Sequence, residues 1–139
     1  MDFKQLNNDL VALVIKRNLL ASINYNDEAY DQVEEDLHDT EDEFLEKYDS
    51  YLEEVLQTVH DEYCPETDVL LPIAYLAKKY IEKTDASGNV IYGVGPNEGL
   101  LVESELHPKR SVRLILLPSP IRIVMTVDNS NAKVVWEVK

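Results

Sequence analysis

The sequence predicts an α+β fold in which N-terminal helices, two or three in number and one of them long and acidic, pack on a C-terminal antiparallel β-meander of about five strands. Apolar residues recur at helical spacing in the first half of the chain and alternate with polar residues in the second half. In addition, one segment of the first half holds 18 of the 27 acidic residues. With 139 residues we expect a single domain, 1–139, with its helical part at about 1–83 and its sheet part at about 89–139.

The first helix is predicted over about residues 3–21. Leu6 and Leu10 belong to a series of apolar residues at three- and four-residue spacings, which forms one apolar face. Val11 and Ile15 add a second apolar face. Because a helix that is apolar on more than one side packs against two neighbours, we expect this one in the core or in a subunit interface.

The second helix is predicted over about residues 27–63, and its length poses a question. A straight helix of that length measures about 55 Å, whereas a compact domain of this size is only about 35–40 Å across. The sequence from Thr40 to Glu43 matches a capping box, which predicts a break at Thr40. A continuous helix would instead overhang the domain and need a partner chain, which predicts a dimer. The sequence leaves both possibilities open.

Negative charge is concentrated around this second helix. Between Asp27 and Asp68, 18 acidic residues stand against one basic residue, Lys47, a net charge of −17; the whole chain carries −14, so the remainder is +3. An apolar stripe rich in tyrosine runs through the same segment, so the acids are predicted to cover one face of a folded helix. The predicted interaction surface for a protein with a basic surface consists of Glu34, Glu35, Glu41, Asp42, Glu46, Glu53 and Glu54.

Two structures are possible for the segment that follows. A third helix is predicted over 72–83, because Pro72 suits the first helical position and apolar residues continue at helical spacing. Alternatively, residues 76–84 form a strand that pairs with 90–94 in a hairpin.

Five strands are predicted in the sheet part, since β-branched and apolar runs are separated there by turns of Gly, Pro, Asn and Asp. Pairing Leu117 with Ile121 and Val127 with Ala132 fixes the register of the last three strands and sets Arg122 opposite Glu137. The predicted strands are 89–94, 99–104, 111–117, 121–127 and 133–138. In this register one face forms the core wall, with Ile115, Leu117, Ile121, Ile123, Met125, Val134, Trp136 and Val138.

Charge and composition exclude several classes of partner. A net charge of −14 disfavours nucleic acid and anionic membranes, so neither is expected as a partner. The longest apolar run, from Leu10 to Ile15, is too short to cross a bilayer. The N-terminus shows no secretory signal, and the single cysteine, Cys64, rules out an internal disulfide. We therefore expect a cytoplasmic protein.

Two pairs of residues are candidate metal ligands. Glu35 and His38 have the Glu-x-x-His spacing of di-iron bundles, and His60 and Cys64 lie one helical turn apart. Each pair falls short of a complete ligand set, so we expect no metal and no cofactor. The basic residues of the sheet part either bind an anionic ligand or face the acidic helix of this or a partner subunit: Lys78, Lys79, Lys109, Arg110, Arg113 and Arg122.

Three functional hypotheses follow. The first is a non-catalytic protein-binding module, a homodimer that presents its acidic helical surface to a basic partner. The second is a small-ligand-binding protein or enzyme with a pocket between the helices and the sheet, to which Tyr92, Arg113 and Trp136 contribute. The third is a metal-binding carboxylate protein. No catalytic residue is assigned, because the chain has no nucleophile elbow, phosphate loop or dinucleotide fingerprint.

Overall fold

The computed structural model describes residues 1–130 and 132–138, and within them it confirms the α+β class: two N-terminal helices precede six strands in two antiparallel sheets. A two-stranded sheet pairs β1 with β2, and a four-stranded sheet has the order β3-β4-β5-β6. The elements are α1 (Phe3–Ser22), α2 (Tyr30–Tyr63), a 3-10 helix (Pro72–Tyr75), β1 (Tyr80–Thr84), β2 (Val90–Val94), β3 (Leu100–Val102), β4 (Val112–Leu117), β5 (Arg122–Val127) and β6 (Lys133–Glu137).

Helix α1 is capped by Asp2, whose carboxylate accepts a hydrogen bond from the Gln5 amide at 3.0 Å. One side of α1, including Leu6 and Leu10, is fully buried in the core. On the second apolar side, however, Ile15 keeps 57% of its surface exposed. Helix α1 therefore lies in the core and contacts both α2 and the segment around β1, and the exposed part of its second apolar side is limited to residues such as Ile15.

Helix α2 is continuous, so the predicted break at Thr40 does not occur. The Thr40 hydroxyl donates to the Asp36 carbonyl at 2.9 Å and accepts from Lys16 Nζ at 2.7 Å. Because this hydroxyl bonds to the preceding turn, it does not cap a new helix at Thr40. With 34 residues α2 is about 51 Å long.

The third helix predicted over 72–83 is wrong, and the alternative hairpin is correct. Only Pro72–Tyr75 form a short 3-10 helix, while Tyr80–Thr84 form β1 and pair with β2. The reason lies outside the segment. The Asn18 side chain on α1 accepts from the Tyr80 amide at 2.7 Å and donates to the Tyr80 carbonyl at 3.1 Å, which satisfies the strand's first peptide groups.

The predicted register of β4 against β5 is off by one residue. Leu117 pairs with Arg122 and not with Ile121, because the turn contains four residues, 118–121. Since neighbouring residues of a strand point to opposite faces, this shift moves Leu117 and Ile115 away from the face that carries Ile123. We call one face of β4 and β5 the inner face; it carries Val112, Leu114, Leu116, Ile123 and Met125, all of them almost fully buried.

The pairing of β5 with β6 combines a correct and an incorrect prediction. Arg122 lies opposite Glu137, as expected. An irregularity between Ile123 and Val124 then shifts the register, so Met125 pairs with Lys133. The outer face of β4 and β5 carries Arg113, Ile115, Leu117, Arg122, Val124 and Thr126.

Candidate functional site

The acidic residues of α2 form a row on its solvent side. Glu35, Asp42, Glu46 and Glu53 are separated by seven, four and seven residues, so at 3.6 residues per turn their side chains project within about 20° of one direction. Asp31 and Asp39 project within about 40° of the same direction. All six are exposed, and together they extend over about 33 Å of the helix. We call them the acidic ridge: Asp31, Glu35, Asp39, Asp42, Glu46 and Glu53.

The side of α2 opposite the ridge is apolar and buried. Leu37, Phe44 and Val55 belong to the core that joins the helices to the sheet. At the edge of this side the Tyr48 hydroxyl donates to the Asp9 carboxylate of α1. Burial, together with the bond to Asp9, raises the pKa of Tyr48 to about 12. Tyr48 thus joins α2 to α1 and is not part of the exposed surface of α2.

Glu41 does not belong to the interaction surface in which the sequence predicted it. Its side chain is buried, and its carboxylate accepts from Arg17 Nη2 of α1 at 2.7 Å. Arg17 also donates to the Ala77 carbonyl at 3.3 Å. The ion pair therefore ties α1, α2 and the segment before β1 together, and Glu41 is not available to a partner.

The other residues predicted for the interaction surface lie at or near the ridge. Four of them are ridge residues. Glu54 is exposed beside the ridge, and Glu34 is half-buried at its flank. Sequence periodicity could have separated Glu41 from this group, because it lies on the same side of the helix as the core residue Leu37.

The basic residues of the sheet part form no ion pair with the acids of α2 within the described part of this chain. The ion pairs of α2 acids are Lys16 with Asp36 and Arg17 with Glu41, both formed by α1. Arg110 pairs with an acid of its own sheet half. The ridge residues have no ion pair among the described residues.

The first pair of predicted metal ligands is exposed. Glu35 and His38 lie on α2 with their side chains in solvent. Throughout residues 1–130 and 132–138, no group of three or more His, Cys, Asp or Glu side chains is arranged to hold a metal ion.

The second pair, His60 and Cys64, is buried at the C-terminal end of α2. His60 Nδ1 lies 2.8 Å from the Thr67 carbonyl, which can only accept, so Nδ1 donates. His60 Nε2 then accepts from the Tyr75 hydroxyl at 2.8 Å, and this hydroxyl accepts from the Leu70 amide at 3.1 Å. Both ring nitrogens are therefore used in fixing residues 67–75 against α2.

The Cys64 thiol is free and buried, and its environment favours the protonated form. Burial, with a smaller contribution from Glu66, raises the pKa of the Cys64 thiol to about 11. Because the thiolate is the nucleophile, this thiol is less reactive at neutral pH than an ordinary cysteine.

The pocket predicted between the helices and the sheet is filled by core side chains. The three residues expected to line it do not converge. Trp136 pairs with Ile123 of the inner face, whereas Arg113 lies on the outer face and donates to the Gly99 carbonyl at 3.4 Å. A cleft is present instead on the outer face of the sheet, where Arg122 donates to the carbonyl of Tyr92 at 2.7 Å.

Within the part of the chain that is described, neither helix is both long and apolar enough to cross a membrane. No protein-family model, no curated protein and no solved structure matches this chain. What the protein does is therefore inferred from its own residues and their geometry.

Proposed function

We propose that this protein is a non-catalytic, homodimeric binding module of the cytoplasm, and that its acidic ridge binds a basic surface of a protein partner. The observation that carries the proposal is the ridge itself. Six exposed carboxylates project in nearly the same direction from one continuous helix, and among the described residues none of them forms an ion pair.

The ridge costs the isolated chain stability. Asp31, Glu35 and Asp39 follow one another at four-residue spacing, and so do Asp42 and Glu46. Like charges at this spacing destabilise a helix by about 0.2–0.5 kcal/mol per pair. A partner with lysine and arginine side chains along a matching surface would relieve this repulsion, and it would be attracted over several ångströms at physiological salt.

Homodimerisation is supported by the two helices. Helix α2 is continuous and longer than the width expected for the domain. The outer side of α1 exposes Ile15 and Leu19, at 57% and 49% of their surface. Apolar burial is the main favourable contribution to most association, so this side of α1, which carries no acidic residue, is where two strongly acidic chains would meet.

The ridge is tested by charge reversal followed by affinity purification from the native cell. The variant Glu35→Lys/Glu46→Lys changes the ridge, whereas Glu82→Lys/Glu105→Lys makes the same change in net charge at exposed positions outside it. We expect the ridge variant to lose the partner and the control variant to keep it, and we expect capture by the wild type to weaken as salt rises.

Two results would count against the proposal. A partner retained by the ridge variant, or lost equally from both variants, would remove the ridge as the binding surface. For the dimer, light scattering should give twice the chain mass of 15.9 kDa, and a mass of one chain would refute it.

A further inference from the structure

A cleft with a volume of about 570 Å³ lies on the outer face of the four-stranded sheet, away from the acidic ridge. Its floor is formed by β4 and β5, and the end of β2 with the following loop forms its opposite wall. The volume is within the range of small-molecule sites. The lining residues are Gly93, Val94, Gly95, Pro96, Glu98, Ile115, Leu117, Arg122, Val124, Thr126, Asn129, Ser130 and Ala132.

The middle of the floor is apolar. Ile115 and Val124 are register partners on adjacent strands, and Leu117 is the register partner of Arg122. The three apolar side chains are almost fully buried. They close the bottom of the cleft, and the accessible apolar surface beside them is supplied by Val94 and Pro96 on the opposite wall.

Arg122 supplies a positive charge at one end of this floor. Its Nη1 donates to the carbonyls of Pro118 and Pro120 at 2.9 and 3.0 Å, and its Nη2 donates to the Tyr92 carbonyl at 2.7 Å. A guanidinium has five N–H donors, so two have no acceptor in residues 1–130 and 132–138.

The charge of Arg122 is also incompletely compensated. No acidic group of the described residues lies within 4.0 Å of its guanidinium. Desolvation lowers the pKa of Arg122, while Glu137 on the neighbouring strand opposes this effect. A bound anion would supply the missing counter-charge.

The polar groups of the cleft set the orientation of a ligand. Thr126 lies four residues from Arg122 on the same face of β5, which corresponds to about 13 Å along the strand. Glu98 lines the opposite wall, and its carboxylate accepts from the amides of Lys78 and Lys79 at 3.2 and 3.0 Å. An anionic group is attracted toward Arg122 and repelled from Glu98.

We propose that this cleft binds an organic monocarboxylate with an unbranched apolar chain. The carboxylate accepts the two remaining N–H donors of Arg122, and the chain lies between Val124 and the wall formed by Val94 and Pro96 and ends near Thr126.

Octanoate and octan-1-ol are the probes, because they share a chain and differ in the charge of the head group. We expect calorimetric titration of the full chain to show one octanoate bound per protein, and to show octan-1-ol binding at least about tenfold more weakly, since a charge-assisted hydrogen bond is lost. Octanoate should shift the backbone amide resonances of β4 and β5 in NMR spectra.

Variants separate the site from the fold. Arg122→Gln also removes the bond to Tyr92 of β2 and the two bonds to the 118–121 turn, so Val124→Phe, which fills the cleft and leaves Arg122 in place, is the informative change. Val90→Phe is the matched control, because Val90 is on β2 but outside the cleft. Thermal melting verifies that each variant is folded.

We expect Val124→Phe to lose octanoate binding and Val90→Phe to keep it. Three results would overturn the proposal: no binding of octanoate to the wild type, equal affinity for octan-1-ol, or unchanged octanoate binding by folded Val124→Phe.

Discussion

The acidic ridge of α2 and the outer-face cleft place charge in opposite environments. On the ridge six carboxylates are in water, where each is screened by salt and contributes little alone. In the cleft one guanidinium is half-buried above an apolar floor, where its interactions are screened far less. The ridge is thus suited to a broad contact that salt weakens, and the cleft to one small anion held by a few directed hydrogen bonds.

The largest effect on stability is expected from a charge of α2 that is buried. Glu41→Ala leaves Arg17, which is mostly shielded from solvent, without its partner, so the free energy of unfolding should fall by about 3 kcal/mol. Glu46→Ala on the ridge should change it by no more than about 0.5 kcal/mol. Urea unfolding of both variants measures the difference.

The same comparison has an internal control. Arg17→Met/Glu41→Leu removes both charges and should cost less than Glu41→Ala alone, since no unpaired charge stays buried. Equal losses of stability for Glu41→Ala and Glu46→Ala would show that the ion pair of Arg17 and Glu41 adds no more stability than an exposed acid.

A smaller loss is expected where the loop next to the cleft approaches β4. A Cβ atom at Gly99 would lie 2.4 Å from Ile115 Cγ1 and 2.5 Å from the Leu114 carbonyl oxygen, and Gly99 has φ +91°. Gly99→Ala combines a disfavoured backbone conformation with overpacking, so we expect a loss of about 2 kcal/mol.

Gly93→Ala serves as the control, because nothing lies within 4 Å of a Cβ at this position on β2. Thermal unfolding should show a clearly lower midpoint for Gly99→Ala than for Gly93→Ala. Similar midpoints for the two variants would mean that the loop around Gly99 can move to accommodate a Cβ atom, and that its close packing on β4 is not needed for stability.

The smallest effect concerns Cys64 and depends on pH. In the folded chain the Cys64 thiol keeps its proton up to about pH 11, whereas in the unfolded chain it titrates at its ordinary value of 9.0. The unfolded state therefore loses the proton first, and the stability that is fully present below pH 9 falls as pH rises toward 11.

Urea unfolding at pH 8 and pH 10 tests this, with Cys64→Ala as the reference for the decline that the tyrosines share. The wild type should lose more stability between the two pH values than Cys64→Ala loses. If the wild type and Cys64→Ala lost the same stability between pH 8 and pH 10, a buried thiol at this position would be contradicted.

Much of the helical half was predictable from residue spacing. The periodicity places Leu37 and Phe44 on one side of α2 and Glu35 and Glu46 on the other, because helical hydrogen bonds connect residues only four positions apart. The same spacing puts Glu41 on the buried side with Leu37, but it does not reveal the partner, Arg17 of α1, that accommodates the charge there.

The sheet half was predictable in its strands but not in its faces. Turn residues locate the strands well, since Gly, Pro, Asn and Asp have known conformational preferences. The predicted pairing of Leu117 with Ile121 corresponds to a three-residue turn, whereas the turn contains four residues, 118–121. This one-residue difference changes the face that each side chain of β4 occupies relative to β5, and it places Ile115 beside Val124 in the cleft.

Local patterns thus suffice for the class of fold, for the course of the helices and for the acidic character of one segment. Tertiary contacts alone decide that residues 80–84 are a strand, that α2 continues through Thr40, and that Arg122 lies over an apolar floor. The physical reason is the range of the interactions: a helix satisfies its backbone within one turn, whereas strand pairing and buried charges need partners that are distant in the chain.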